Sequence, residues 1–175
     1  FLDEFGLTNV PAFENNDDLL ALKPDGVSVC TYNTQHHVCA CQAMRAGAHV
    51  LCEKPMSVTL DQAVEMAKCQ KETGKILTIG FQPRYGENMK MIKHLVRSGE
   101  LGHLKRSIWI ITNWYRSQRY YDSGAWRATW AGEGGGVLLN QAPHNLDLWQ
   151  WICGMPESLV GFCDIAKYHD IEVED

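Results

Sequence analysis

The sequence predicts an α/β chain, with a parallel β-sheet and its helices over residues 1–83 and a segment of different character over residues 84–175. Three observations predict it. Short apolar runs alternate with segments whose apolar residues recur at helical spacing. Glycine or proline punctuates most of the changes between them. After about Tyr85 the alternation stops and long aromatic and polar stretches take over.

The elements follow in order. Asn16-Asp17-Asp18 ahead of Leu19-Leu20-Ala21-Leu22 reads as a capped short helix, since short polar side chains satisfy the free N–H groups of a helix start. Pro24-Asp25-Gly26 is a turn. Residues 27–31 are apolar and β-branched and predict a buried strand. A helix over about 36–46 is closed by Gly47, and residues 49–52 form a second strand that ends in Glu53-Lys54-Pro55. Leu60, Ala63, Val64 and Ala67 share one helix face, so 59–73 is an amphipathic helix stopped by Gly74, and 76–80 is a third strand. Strands of this kind, each followed by a helix, predict a parallel sheet covered on both faces. Beyond it, 87–98 reads as a helix ending at Gly99 and 107–114 as a long strand rich in Ile and Trp. Residues 116–130 read as a loop, and Gly134-Gly135-Gly136 leads into 137–140 and a segment over 143–152 ended by Gly154. The tail over 158–165 has the composition of another strand.

Composition excludes several classes of function. A chain of 175 residues with 45 % hydrophobic content fits one compact domain or parts of two and has enough apolar surface for a core. A formal charge of −5 argues against nucleic-acid binding, which needs a basic face. No apolar run approaches a membrane span, and no signal peptide is visible. The chain begins at Phe1 and stops at Ile171-Glu172-Val173-Glu174-Asp175, with no capping or closing signal, so it is expected to be a piece of a longer protein. The seven cysteines are odd in number and several sit in apolar runs, which fits a reduced cytoplasmic setting better than a disulfide framework. No metal site is expected, because the cluster His36-His37-Val38-Cys39-Ala40-Cys41 lacks a second ligand pair at zinc-like spacing.

Ligands of a parallel sheet bind beyond the carboxyl ends of its strands, which directs attention to residues 31–36, 53–55 and 81–85. Glu53-Lys54-Pro55 places there a carboxylate able to bind ribose hydroxyls, an ammonium able to stabilise a developing alkoxide, and a proline that fixes the turn. Taken alone, the tripeptide is better explained by a solvated ion pair at an ordinary turn. It is accompanied by Thr31-Tyr32-Asn33-Thr34-Gln35-His36, by Gly80-Phe81-Gln82-Pro83-Arg84-Tyr85, by Trp126-Arg127, and by Gly134-Gly135-Gly136-Val137-Leu138-Leu139-Asn140-Gln141-Ala142-Pro143-His144-Asn145-Leu146-Asp147. In order and spacing these segments resemble the Gfo/Idh/MocA oxidoreductases, over nearly the whole chain.

The resemblance implies a two-domain enzyme that uses NAD or NADP. Residues 1–83 would be the C-terminal part of a Rossmann dinucleotide-binding domain. Residues 84–175 would be the N-terminal part of an α+β substrate and oligomerisation domain with a mostly antiparallel sheet. It implies Lys54, His144 and Asn140 as catalytic residues, with His144 as acid/base. Thr31, Asn33, His36, Glu53, Lys54 and Gln82 would bind the cofactor, and Lys54, Arg127, Asn140 and His144 the substrate. The family commonly carries Asp where this chain has Asn140, and an amide cannot supply the charge that raises a histidine's basicity. The Gly-x-Gly-x-x-Gly fingerprint that cradles a pyrophosphate is absent from the sequence, so residues 1–175 alone are expected to bind a dinucleotide poorly.

Several residues carry two readings. His36 and His37 read as a solvated helix start, whereas the resemblance places His36 near the cofactor. Gln82 is either a ribose contact or a turn residue, and Arg84 and Arg127 are either functional or surface charges. Asp147, three residues after His144, either orients the imidazole or caps local structure. The six tryptophans read as core or domain-interface residues, since no basic stripe accompanies them. The implied reaction moves a hydride between a secondary alcohol of a small sugar, glycoside or cyclitol and the nicotinamide, in a protein that is a homo-oligomer when full length. The alternatives are a glycosidase-like relative that oxidises and re-reduces a sugar transiently, and a non-catalytic sugar sensor.

Overall fold

The structure is a computed structural model that describes residues 2–112 and 115–175. Its first half follows the predicted order: α1 (Asn16–Ala21), β1 (Gly26–Val29), α2 (His36–Arg45), β2 (His49–Cys52), α3 (Leu60–Thr73) and β3 (Leu77–Ile79). The three strands are parallel and lie in the order β1-β2-β3, with Val29, Cys52 and Ile79 level at their carboxyl ends. Local chemistry sets the boundaries. Asn15 Oδ1 accepts from Asp18 N at 2.9 Å to start α1, and Thr59 Oγ1 accepts from Gln62 N at 3.3 Å to start α3. Gly74 ends α3 in the left-handed conformation, φ 65°, where a side chain would be strained.

The core lies between the sheet and the pair α2–α3. Val29, Val50 and Cys52 from the strands meet Ala40, Cys41, Ala43 and Met44 of α2 and Met66 and Cys69 of α3. The small residues of α2 let it approach the strands closely, and the burial of each large apolar side chain contributes roughly 1.5–3 kcal/mol. Within residues 1–175 the described helices cover one face of the sheet. Leu51 and Ile76, on the other face, are 50 % and 60 % exposed, and among the described residues no helix lies over them. Right-handed crossovers that step always in one direction return their helices to one side of the sheet.

Beyond β3, the 3₁₀ turn Gln82–Tyr85 leads into α4 (Glu87–Ser98), which Gly99 ends at φ 82°. The expected loop over 116–130 contains a short helix, α5 (Gln118–Tyr121). A π-helical turn, Val137–Gln141, precedes α6 (Pro143–Cys153). Residues 107–112 of the expected long strand carry no strand pairing, and its last two, Asn113 and Trp114, lie outside the described residues. The expected strand over 158–165 is likewise unpaired apart from one antiparallel bridge, Ile165 to Glu174. Phe162 is 96 % exposed and Ile110 77 %, so these apolar segments lack the neighbours that a sheet would give them.

The closing segment has a structural task that the sequence did not signal. Glu174 Oε1 accepts from Gly136 N at 3.0 Å and Leu138 N at 3.2 Å, and its backbone oxygen accepts from Val137 N at 3.2 Å. These bonds satisfy free donors at the start of the π turn. Val173 is fully buried with Tyr121 and Ala128 beside it.

Candidate active site

The aligned strand ends bring Thr31, Glu53 and Gln82 to one edge of the sheet, all three exposed. Gly80 keeps this edge open, since a Cβ there would lie 3.2 Å from the carboxylate of Glu53. The Lys54–Pro55 peptide is cis.

Lys54 leaves this edge toward the second half. Its Nζ donates to the backbone oxygen of Asn140 at 2.6 Å and to Asn140 Oδ1 at 3.3 Å. Asn140 Nδ2 in turn donates to Glu133 Oε1, and Glu133 Oε2 accepts from Ala128 N at 2.7 Å. The amide of Asn140 is therefore held at both ends, between an ammonium and a buried carboxylate. Glu133 is 2 % exposed. Burial raises its carboxyl above the usual range, opposed by the Ala128 N–H, Arg127, Lys54 and Asn140. Burial also holds the Lys54 ammonium below the usual lysine range, helped by Arg116 and opposed by Glu53 and Glu133. Residue 140 carries no charge of its own, but a negative charge stands one hydrogen bond behind it.

Sequence reasoning missed Glu133. A signal existed: it is the sole acidic residue in the stretch 128–146, inside a glycine run that otherwise has no use for a charge.

His144 opens α6 and is half-buried, its ring edge-on to Phe81 with centroids 6.0 Å apart. Burial and the Lys54 ammonium hold the imidazole below the usual histidine range, against the pull of Glu53 and Asp147. Its Nδ1 is buried and has no hydrogen-bond partner among the described residues. Asp147 does not orient that ring. Its carboxylate takes both Nε and Nη2 of Arg84 in a forked pair, which ties α6 to the turn after β3. Arg84 is thereby more than a surface charge.

Three of the expected ligands make contacts within the chain. His36 is 1 % exposed, with Nε2 3.1 Å from the oxygen of Thr31 and Nδ1 2.7 Å from that of Pro55. It stands behind the edge residues, in contact with the backbone of Thr31 and Pro55. Its ring is enclosed and links two edge loops, although both partners accept and a neutral imidazole donates to only one. Asn33, also buried, donates from Nδ2 to the backbone oxygen of Glu133 at 3.2 Å and so joins the two halves. Arg127 stacks between Tyr120 and Trp126, 4.4 Å from each ring, and donates to Tyr120 Oη at 2.9 Å. Tyr32 meets Trp126 at 5.2 Å, so this tryptophan does sit where the halves join.

A parallel sheet whose carboxyl edge faces a lysine and a histidine defines the class, a Rossmann-type α/β domain with a candidate ligand site at that edge. The chain belongs to the Gfo/Idh/MocA family. Residues 4–81 match the family model described as an oxidoreductase family with an NAD-binding Rossmann fold, and residues 89–175 match the GFO/IDH/MocA C-terminal domain. It is 36 % identical to D-glucoside 3-dehydrogenase of Escherichia coli K12 over 140 residues, 79 % of this chain and 38 % of that enzyme. Over 145 residues it is 34 % identical to a 1-carboxy-3-chloro-3,4-dihydroxycyclohexa-1,5-diene dehydrogenase of Comamonas testosteroni, covering 78 % of this chain and 34 % of that one. Among solved structures, the WlbA dehydrogenase of Bordetella pertussis in complex with NADH and UDP-GlcNAcA superposes with a TM-score of 0.86 at 29 % identity. That superposition covers 97 % of this chain and 49 % of WlbA. The chain thus spans no more than about half the length of these proteins.

The residues present fit the nicotinamide end of NAD. Exposed polar groups follow each strand, the glycine at position 80 keeps the edge clear, and Lys54 and His144 converge from two elements. The diphosphate end has no counterpart in the chain, because the sequence contains no Gly-x-Gly-x-x-Gly run.

Proposed function

We propose that the parent protein is an NAD(P)-dependent dehydrogenase acting on a secondary alcohol of a sugar, glycoside or cyclitol. The observation that carries this reading is the buried chain Glu133–Asn140–Lys54, set beside an imidazole with a low proton affinity at the sheet's ligand edge. A nicotinamide bound at that edge would supply the acceptor for the hydride of the carbinol carbon. Thr31, Glu53 and Gln82 hold its ribose end. His144 takes the hydroxyl proton at Nε2, since Nδ1 is the enclosed nitrogen of its ring. General-base help of this kind is worth roughly 100- to 10,000-fold. Lys54 donates to the substrate oxygen as negative charge develops there, and exchanges for that purpose one of its two bonds to Asn140. Glu133 keeps Asn140 turned toward Lys54 and keeps the ammonium charged. Arg127, pinned between two rings, offers a fixed donor to a neighbouring hydroxyl. His36 acts as a positioning residue for the loops of Thr31 and Pro55.

The name of the Escherichia coli relative and the nucleotide sugar bound to WlbA support a sugar-type substrate. The unpaired apolar segments over 107–112 and 158–165 support an antiparallel sheet in the complete second domain, with an oligomer interface on it. Free thiols at all seven cysteines support a reducing, cytoplasmic setting. Among the described residues no helix is long and apolar enough to cross a membrane.

The test is coenzyme reduction by the parent protein with methyl glucosides and inositols as substrates. Net NADH or NADPH formation with either class supports the reading. Release of an aglycone without net reduced coenzyme points to a transient-oxidation glycosidase instead, and ligand binding without turnover to a sensor.

A further inference from the structure

Outside the sheet edge, the densest cluster of ligating side chains lies between α2 and α3. His37 and Cys41 stand four residues apart on α2, and Glu65 and Cys69 stand four apart on α3. That spacing puts each pair on one helix face. The two faces meet: His37 Nε2 is 2.8 Å from Glu65 Oε2, and Cys69 Sγ donates to the backbone oxygen of Cys41 at 3.7 Å. The ligand atoms of His37, Cys41 and Glu65 all lie within 4.8 Å of one another. The second ligand pair that the sequence around His36 lacks is thus supplied by the fold, from 28 residues away.

We infer that His37, Cys41 and Glu65 form a site for a thiophilic divalent cation of the zinc class, with Cys69 completing it as a fourth ligand. A tetrahedral ion at zinc–ligand distances holds its donors roughly 3.3–3.8 Å apart. The atoms of His37, Cys41 and Glu65, within 4.8 Å of one another, therefore close on an ion by a movement of about an ångström. Cys69 joins them by turning its Sγ from the Cys41 carbonyl. The donor set of one imidazole, one carboxylate and two thiols suits zinc and excludes magnesium or calcium, which take oxygen. An ion pair of His37 and Glu65 forms the rim of the cluster, and the core thiols Cys41 and Cys69 lie beneath it. The rim gives access: the side chains of His37 and Glu65 are 17 % and 48 % exposed, while Cys41 and Cys69 form a buried floor. Burial, with the neighbouring Cys69, pushes the Cys41 thiol up to about 12, so the unliganded site holds neutral sulfur. A coordinated cation reverses that preference and deprotonates the thiol. His37, then Arg45, hold Glu65 below the usual carboxylate range and keep it anionic. Arg45 reaches Glu65 at 3.5 Å from an exposed position and is the group that the cation displaces. The site lies on the outer helix layer, so the cation clamps α2 to α3 and leaves Lys54 and His144 untouched. The inference does not depend on the proposed dehydrogenase activity.

Cobalt(II) titration of the reduced, metal-free 175-residue chain tests it, with circular dichroism confirming the helices of each sample. One equivalent should bind with a thiolate-to-cobalt charge-transfer band and intense visible bands of tetrahedral coordination, both lost on adding zinc. Cys41→Ser should remove the charge-transfer intensity of one thiolate. His37→Gln and Glu65→Gln, at rim positions with little packing role, should weaken cobalt binding on the order of 10-fold or more. Cys30→Ser and Cys163→Ser remove the two exposed thiols and should change nothing. No charge-transfer band in the helical wild-type chain overturns the inference. So does wild-type affinity in both His37→Gln and Glu65→Gln, or a band that follows Cys30 or Cys163.

Discussion

Glu133 changes how the departure at position 140 is understood. An asparagine cannot charge a neighbouring base, yet Asn140 relays between Glu133 and Lys54, so the site keeps a carboxylate one residue further back. Glu133→Gln keeps the shape and removes the charge, and it leaves one acceptor oxygen for the two donors Asn140 Nδ2 and Ala128 N. Glu133 raises the proton affinity of Lys54, so its loss lowers it further. The ammonium is the working form, hence the alkaline limb of turnover in the parent protein should move to lower pH. The acid limb belongs to His144, whose proton affinity is set by burial, Lys54, Glu53 and Asp147, and should stay in place. A pH–rate profile measures both, and an unmoved alkaline limb would reduce Glu133 to a structural part. Lys54 and His144 were legible in sequence because each sits at a strand end or helix start within a run of diagnostic neighbours. Glu133 was not, because its role exists only once residues 128, 133 and 140 are folded together. The same holds for Asp147, three residues from His144 in sequence but paired with Arg84 in space.

At the scale of elements, helix ends and short strands were readable because caps, glycines and apolar runs are local. Thr59 and Gly74 bound α3 as their chemistry requires. The π turn over Val137–Gln141 was not readable, since it depends on Glu174, which arrives from 36 residues away. Gly136 is where the two meet: a Cβ there would lie 2.0 Å from the backbone oxygen of Glu174. Gly136→Ala should therefore cost about 1–3 kcal/mol or more, as overpacking does. Thr59→Ala should cost about 1 kcal/mol through the lost cap. Gly161→Ala, with nothing within 4 Å of its Cβ, should be close to neutral. Urea unfolding of the three variants orders them, and a Gly136→Ala protein as stable as Gly161→Ala would contradict the docking of the closing segment on the π turn.

The whole molecule joins a three-stranded parallel sheet to a second half through Asn33, Lys54 and Tyr32. Alternation of strand and helix made the parallel sheet legible. Which face each helix covers was not, because that depends on strand order and not on local pattern. Without a glycine fingerprint at a helix start, the main anion-binding device for a diphosphate is missing from residues 1–175. Calorimetric titration of this chain with NAD(H) should therefore show weak binding or none, and micromolar affinity would contradict that reading. The most direct test of the central claim is a comparison of His144→Ala and Lys54→Met in the parent protein, by turnover across pH together with coenzyme dissociation constants. His144→Ala should lose most turnover and the acid limb while coenzyme affinity stays near wild type, and Lys54→Met should lose turnover and weaken coenzyme binding as well. A His144→Ala enzyme with near wild-type turnover would contradict the account and move the base elsewhere.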